Sequence, residues 1–263
     1  RKEFTMYTDA LRLTNVFNDK EGARATQLAM LPTCRQLESA EEETRILTDL
    51  LDHYTAAGDA GKQAGIYLEV GVSKLRQQEY DRALENFLRA LTLSEQAHDS
   101  VLAVKVLLKL AVAYGDLGKI TESFQAYTEG LIRSDITRGV EPLRLEMLVR
   151  VGDTYLMNRQ YGEARRFYNA ALNAAMSRQN RLAEGYLFIQ LGHCDLPTAP
   201  DVAVKNFTSA LELFDGVSYP PGSAYALFSL GVAAQRGSRF TEALQHFKQA
   251  VEQSEASFWQ QPA

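Results

Sequence analysis

Between Leu230 and Glu255 the apolar residues recur three and four positions apart, which is the period of one helical face, and Ala243, Phe247 and Ala250 fall together on that face. The same triplet of small, aromatic and small returns at Ala83, Phe87 and Ala90, at Ser123, Tyr127 and Gly130, at Ala164, Tyr168 and Ala171, and at Ala203, Phe207 and Ala210. A second helical run precedes each triplet. These runs centre on Gly71, Ala111, Gly152, Gly192 and Gly231, and the step from each centre to the next is almost constant. A period of about 40 residues marks a repeat architecture. The interval from the last small residue of one triplet to the next central residue is also nearly constant, and the same interval joins Ala10 to Leu31 and Leu50 to Gly71, so the frame reaches the N-terminal region in weaker form. Two small residues flanking a ring let a neighbouring helix approach while the ring fills the gap.

Breaks between the runs are local. RQQEYD, DLGKIT, MNRQYG and QRGSRF are short and polar or glycine-bearing, as antiparallel helix pairs require. Between units lie AAGDAGKQ, EQAHDSV, SDITRGVEP, SRQNRLAE and DGVSYPPG, where Pro220 and Pro221 make the firmest stop. Strand-like alternation is absent, so the pattern predicts an all-α chain of about a dozen paired helices. The stretch DLPTAPD predicts that the helix around Gly192 ends early, near Cys194 or Asp195. Pro32 falls inside a predicted helix, where it removes a hydrogen bond and predicts a kink.

These residues resemble the tetratricopeptide repeat, whose first helix carries Leu-Gly followed by Tyr and whose second carries Ala, an aromatic and Ala. The unit around Gly152 shows this in Leu148, Val151, Gly152, Tyr155, Ala164, Tyr168 and Ala171, and the unit around Gly231 in Leu227, Leu230, Gly231, Ala243, Phe247 and Ala250. The common unit has about 34 residues; this longer period is similar to the variety found in kinesin light chains, Rap-type sensors and mitotic-spindle adaptors. The resemblance implies a right-handed superhelical solenoid of antiparallel helix pairs. It is expected to be a single array over residues 1–263, with degenerate repeats over 1–59, five clear repeats over 60–257 and a tail over 258–263.

The resemblance also implies a concave face lined by the first helix of each unit. On it the frame places Leu68, Val72, Leu108, Val112, Val149, Asp153, Tyr186, Ile189, His193, Tyr225, Phe228 and Val232. Family members that bind chaperone tails clamp a carboxylate with Lys and Asn at two of these places. Here Leu68, Val72, Leu108 and Val112 stand there, so the clamp is absent. The expected partner is another protein, presenting a helix or extended segment with apolar anchors. Alternatively, the same residues bury against one another in a tight superhelix.

Composition narrows the rest. With 46% hydrophobic and 23% charged residues the chain reads as an ordinary soluble protein, and its net charge of -5 with scattered Lys and Arg offers no stripe for a phosphate backbone. Nucleic acid is not an expected partner. Cys34 and Cys194 are too far apart for a redox motif and fit a reducing compartment. No apolar run approaches the ~18 residues of a membrane span and RKEFTMYTDAL has no signal-peptide core, so a cytoplasmic location and no membrane partner are expected. The four histidines, His53, His98, His193 and His246, lack metal-ligand spacing, and there is no phosphate loop, GxSxG, HExxH or kinase signature. The run ESAEEETR reads as a solvated helix start favoured by the helix dipole. Catalytic residues, metals and cofactors are therefore not expected, and the function read from the sequence is a non-catalytic scaffold or adaptor. The start at Arg1 and the end SFWQQPA motivate an alternative, a sensor or regulatory arm of a larger enzyme or signalling protein. Weak self-association through the array ends, involving Phe258 and Trp259, is a further expectation.

Overall fold

The computed structural model describes residues 2–37 and 39–259, and of these it leaves undescribed the side chains of Asn15 and residues 256–259. The predicted tail, with Phe258 and Trp259, therefore lies outside the described side chains. Among the described residues there are thirteen α-helices and no strand: α1 (Lys2–Val16), α2 (Lys20–Gln36), α3 (Ala40–Ala56), α4 (Ala60–Arg76), α5 (Tyr80–Gln96), α6 (Ser100–Asp116), α7 (Ile120–Ile136), α8 (Glu141–Met157), α9 (Tyr161–Ser177), α10 (Arg181–Asp195), α11 (Pro200–Gly216), α12 (Pro220–Arg236) and α13 (Phe240–Trp259). Most are of one length, and from α2 to α7 they start at a constant step, at Lys20, Ala40, Ala60, Tyr80, Ser100 and Ile120.

The three-residue turns explain that regularity. The second residue past the helix end takes a left-handed conformation, at Asn18, Gly58, Gln78, His98, Gly118, Arg159, Gln179, Ser218 and Ser238. The next N–H then returns to a carbonyl five residues back, as from Asp59 to Tyr54 (3.1 Å), Asp99 to Ser94 (2.9 Å) and Gln160 to Tyr155 (2.9 Å). The donor of that bond is also the cap of the following helix. Asp19, Asp59 and Asp99 accept from the N–H groups of Gly22, Lys62 and Leu102 at 2.9 Å, satisfying a free donor at the starts of α2, α4 and α6. Asn180 does the same for α10.

Two junctions break the rule. After α7, Thr137 is extended and Gly139 has φ +82, and α8 starts at Glu141, one position later than the constant step would place it. After α10, which stops at Asp195 as the shortened spacing predicts, the N–H groups of Thr198 and Ala199 both return to the Asp195 carbonyl. Pro220 sits at the first position of α12, where its missing N–H costs nothing.

The helices group into two compact units, residues 1–137 and 138–263. Within each, consecutive helices pack against one another, and α4 also touches α6 as α10 touches α12. Four of the hairpins are closed by a ring against a helix with no side chain at the contact. A Cβ on Gly71, Gly152, Gly192 or Gly231 would lie 2.3–2.6 Å from the nearest ring carbon of Phe87, Tyr168, Phe207 or Phe247. Phe214 performs the same task between hairpins, since Cβ atoms on Gly185 of α10 and Gly222 of α12 would meet it at 2.7 and 2.4 Å. In the α6–α7 hairpin Ala111 replaces glycine, and the Ser123 hydroxyl donates to its carbonyl at 2.7 Å.

The N-terminal helices pack differently. Leu31, Leu50, Met30, Cys34, Ile46 and Tyr54 form their core, and α2 runs continuously through Pro32. Glu43 corrects the reading of the acidic run as a solvated face. It is buried, and it accepts from Arg35 at 2.8 Å, from the Ser73 hydroxyl at 3.0 Å and from Arg76, tying α3 to α2 and α4. A buried carboxylate is tolerable only with such partners, whose hydrogen bonds hold its pKa below the ordinary value against the larger opposing effect of burial alone.

The packing makes a prediction of opposite signs. Gly192→Ala and Gly71→Ala should lose about 1–2 kcal/mol, because the overpacking penalty exceeds the ~1 kcal/mol helix-propensity gain of alanine. Gly65→Ala and Gly162→Ala, where a Cβ meets nothing within 4 Å, should gain up to about 1 kcal/mol. Urea denaturation of the four variants checks the register, and a common sign would refute it.

Candidate functional site

The face presented by the first helices of the hairpins is best formed in the second unit. Leu145 and Val149 lie one turn apart on α8, opposite Ala183, Tyr186 and Leu187 of α10, and between them opens a cleft of about 690 Å³. Its floor is mainly apolar. Glu146, Arg150 and Gln190 stand around it, and neither Glu146 nor Arg150 has an ion-pair partner among the described residues.

Aromatic rings extend this face onto α12. Tyr186 meets Phe214 edge-on with centroids 5.1 Å apart, and its hydroxyl lies 3.2 Å from that of Tyr219. Burial, then this hydrogen bond, push the Tyr186 phenol up to about 12. The Tyr225 hydroxyl lies 3.4 Å from Nε2 of His193, whose ring is edge-on to Phe207 at 5.3 Å. Phe228 packs against Phe247 at 5.6 Å while remaining largely exposed. Asp153 accepts from the Tyr168 hydroxyl at 2.7 Å, so the partner ring of Gly152 also fixes the carboxylate. Burial and that carboxylate keep the Tyr168 phenol protonated by raising its pKa.

The residues predicted to line the groove divide into three groups. Tyr186, Tyr225 and Phe228 are exposed on α10 and α12. Val72, Val112, Val149, Asp153, His193 and Val232 are half-buried, with Val72 and Val112 belonging to the first unit. Leu68, Leu108 and Ile189 are buried, Leu108 to 1% and Ile189 to 0% exposure, which corrects their assignment to a binding surface. They hold the same repeat position as Val149 and Phe228, so the frame alone does not separate them from the open residues; neighbouring elements cover them, and Ile189 joins the core that holds Phe207 and Phe214. The alternative of burial thus holds for these three.

Leu145, Arg150 and Leu187 escape the sequence frame. A signal for the first is present, since Leu145 precedes Val149 by four positions and shares its face. Among the described residues no three His, Cys, Asp or Glu side chains gather as a metal site, and no helix is long and apolar enough to cross a membrane.

Two family models, each described as tetratricopeptide repeat, match the chain, one over residues 62–131 and the other over 108–180 and 200–258. None of the curated proteins matches in sequence. Among solved structures, BtubC (BKLC) from P. vanneervenii is similar at TM-score 0.71 and 17% identity, covering 87% of this chain and 93% of that one. A signal-transduction ATPase with numerous domains (STAND) and a tetratricopeptide repeat sensor, from Pyrococcus horikoshii, is similar at TM-score 0.77 and 16% identity, covering 90% of this chain and 37% of that one. The apo form of RapI gives TM-score 0.77 at 13% identity, covering 97% of this chain and 76% of that one. These likenesses establish an all-α helical-repeat fold.

His193 gives the site a pH dependence. Burial and then the charge of Arg236 hold its pKa below the ordinary value of about 6.5. Its folded pKa is thus below its unfolded one, so its contribution to stability is full above about pH 6.5 and is lost as pH falls through the folded value. Between pH 7 and pH 5 the wild type should lose more stability than His193→Gln in urea titrations. Equal losses would exclude His193 as the cause.

Proposed function

Because this chain belongs to the tetratricopeptide repeat family, we propose that it is a non-catalytic scaffold, binding a helix or extended segment of another protein on the first-helix face of its hairpins. The observation that carries this reading is the apolar cleft between α8 and α10, bordered by Tyr186 and continued by Tyr225 and Phe228. Exposed tyrosine and phenylalanine beside a preformed apolar cleft are the residue types that anchor protein partners, because a large ring is desolvated with few rotors frozen. The Glu146 and Arg150 side chains provide polar contacts at the rim, where charge sets orientation more than affinity. The location proposed is the cytoplasm, supported by two buried free thiols.

A second reading is a sensor or regulatory arm of a larger signalling protein. It is favoured by the likeness to the STAND protein with its repeat sensor, of which this chain spans little more than a third. A reading frame encoding no further domain would remove it.

Selection from a random peptide display library tests the first reading. Enriched peptides should carry apolar residues at helical or alternating spacing, and Val149→Glu combined with Phe228→Glu should weaken their binding at least ~10-fold while the melting temperature stays within a few degrees. Leu108→Asp, which buries a charge in the core, should instead unfold the first unit. Peptides that bind the double variant as tightly as the wild type would refute the groove. Turnover of any substrate by the isolated chain would refute the non-catalytic assignment.

A further inference from the structure

One repeat of the second unit lacks a ring that the next one has. Helices α8, α10 and α12 begin at Glu141, Arg181 and Pro220, so two wall residues of the cleft between α8 and α10, Leu145 and Ala183, are the counterparts of Gly185 and Gly222. Between α10 and α12 the ring of Phe214, carried by α11, lies against both glycines, and a Cβ on either would stand 2.7 or 2.4 Å from it. The counterpart of Phe214 in α9 is Ala175, which is fully buried. The chain thus fills one junction with its own aromatic side chain. At the other, leucine replaces the first glycine, alanine replaces the ring, and about 690 Å³ of mainly apolar space stays open.

The border of that space favours a ring over an aliphatic chain. Tyr186 is edge-on to Phe214 with centroids 5.1 Å apart and also lines the cleft, so the cluster of rings that runs through Tyr219 and Phe214 ends at its edge. A further ring entering there meets an aromatic neighbour on one side and the side chains of Leu145, Val149 and Leu187 around it. Ring pairs of this kind gain more than the area they bury, because the positive edge of one faces the negative face of the other.

Charge decides what flanks the ring. Glu146 and Arg150 stand at the cleft one turn apart on α8, about 6 Å along its axis, and neither has an ion-pair partner among the described residues. A basic group of the occupant belongs opposite Glu146 and an acidic group opposite Arg150. Exposed ion pairs add little affinity, so these two set the direction in which the occupant lies while the ring supplies the drive.

On the reading of the first-helix face as a protein-binding surface, on which this inference rests, we propose that the cleft takes one aromatic side chain of a partner protein. The segment that carries this phenylalanine, tyrosine or tryptophan has a basic residue on one side of it and an acidic residue on the other. The partner's ring does between α8 and α10 what Phe214 does between α10 and α12.

Peptides selected on the full chain from a random display library, then synthesised, are the probe. They should share one aromatic position with a basic and an acidic flank, and leucine in place of the aromatic residue should weaken binding at least ~10-fold. Leu145→Gly, Ala175→Phe and Ala183→Gly together rebuild the α10–α12 junction between α8 and α10 and should abolish binding. Ala183→Phe, a single change at a half-buried wall position, should also cost at least ~10-fold, with thermal melting as the check that each variant folds. Glu146→Arg combined with Arg150→Glu should prefer peptides whose two charged flanks are exchanged. Equal binding of the leucine peptides, or of folded Ala183→Phe and wild type, would overturn the proposal. Aliphatic peptides that bind Ala183→Phe normally but are lost on Val149→Glu with Phe228→Glu would overturn it and leave the groove standing, whereas a library that yields no binder would overturn both. A rise of the wild type in light-scattering mass that Ala183→Phe lacks would give the cleft to a second copy of the chain and overturn it too.

Discussion

An aromatic ring seated against a glycine is the constraint on which these hairpins depend. The ring of Phe87, Tyr168, Phe207 or Phe247 occupies the volume that a side chain on Gly71, Gly152, Gly192 or Gly231 would need. Because nearly the same stretch of chain separates glycine from ring in all four, the contact forms only when the two helices have near-equal lengths on either side of a tight turn. The flanking alanines, such as Ala164 and Ala171, are fully buried because the same approach leaves no room beside the ring. Phe214 extends the device across a repeat boundary by serving Gly185 and Gly222 together. One residue type thus sets hairpin closure and, at that place, hairpin stacking.

The turns follow from that closure. Three residues must reverse the chain, cap the outgoing carbonyls and start the next helix. A single left-handed residue followed by a cap does all three, and the backbone bond from the cap to the carbonyl five residues back is repeated from turn to turn. Glycine would adopt this conformation without strain, yet Gln78, His98, Arg159, Gln179, Ser218 and Ser238 also hold it. The strain they carry, about 1 kcal/mol each, is offset by the packing of the hairpins they connect.

Much of this is legible in the sequence, and for a physical reason. Small-aromatic-small triplets and central glycines are dictated by close packing, so they recur from unit to unit and announce the helix pairs. The early end of α10 is legible too, because one missing residue shifts everything after it. The capping aspartates, evenly spaced at Asp19, Asp59 and Asp99, are visible but easily passed over, since a cap carries no periodic apolar signal. Glu43 misleads because an acidic run resembles a solvated helix start; only the approach of Arg35 and Arg76 from neighbouring helices makes it a core group. Leu108 and Ile189 are assigned to the surface from sequence because they share the repeat position of Val149 and Phe228, and the covering by neighbouring elements that buries the first two and leaves Phe228 half exposed is not written in the frame.

The same division of labour underlies the function proposed. On the first helices, the positions that receive rings or neighbouring helices stay small or aliphatic from unit to unit. The positions that packing leaves open differ. Along one row stand Glu146, Tyr186 and Tyr225; along the next, Val149, Ile189 and Phe228; along a third, Asp153, His193 and Val232. Where packing dictates a residue, the repeats agree, and where it does not, the side chains diverge. Ile189 is the instructive exception, an open-row residue drawn into the core, and beside it the cleft is walled instead by Tyr186 and Leu187. In the function proposed for this chain, recognition rests on the departures from the repeat, and in the second unit those departures include the aromatic Tyr186, Tyr225 and Phe228.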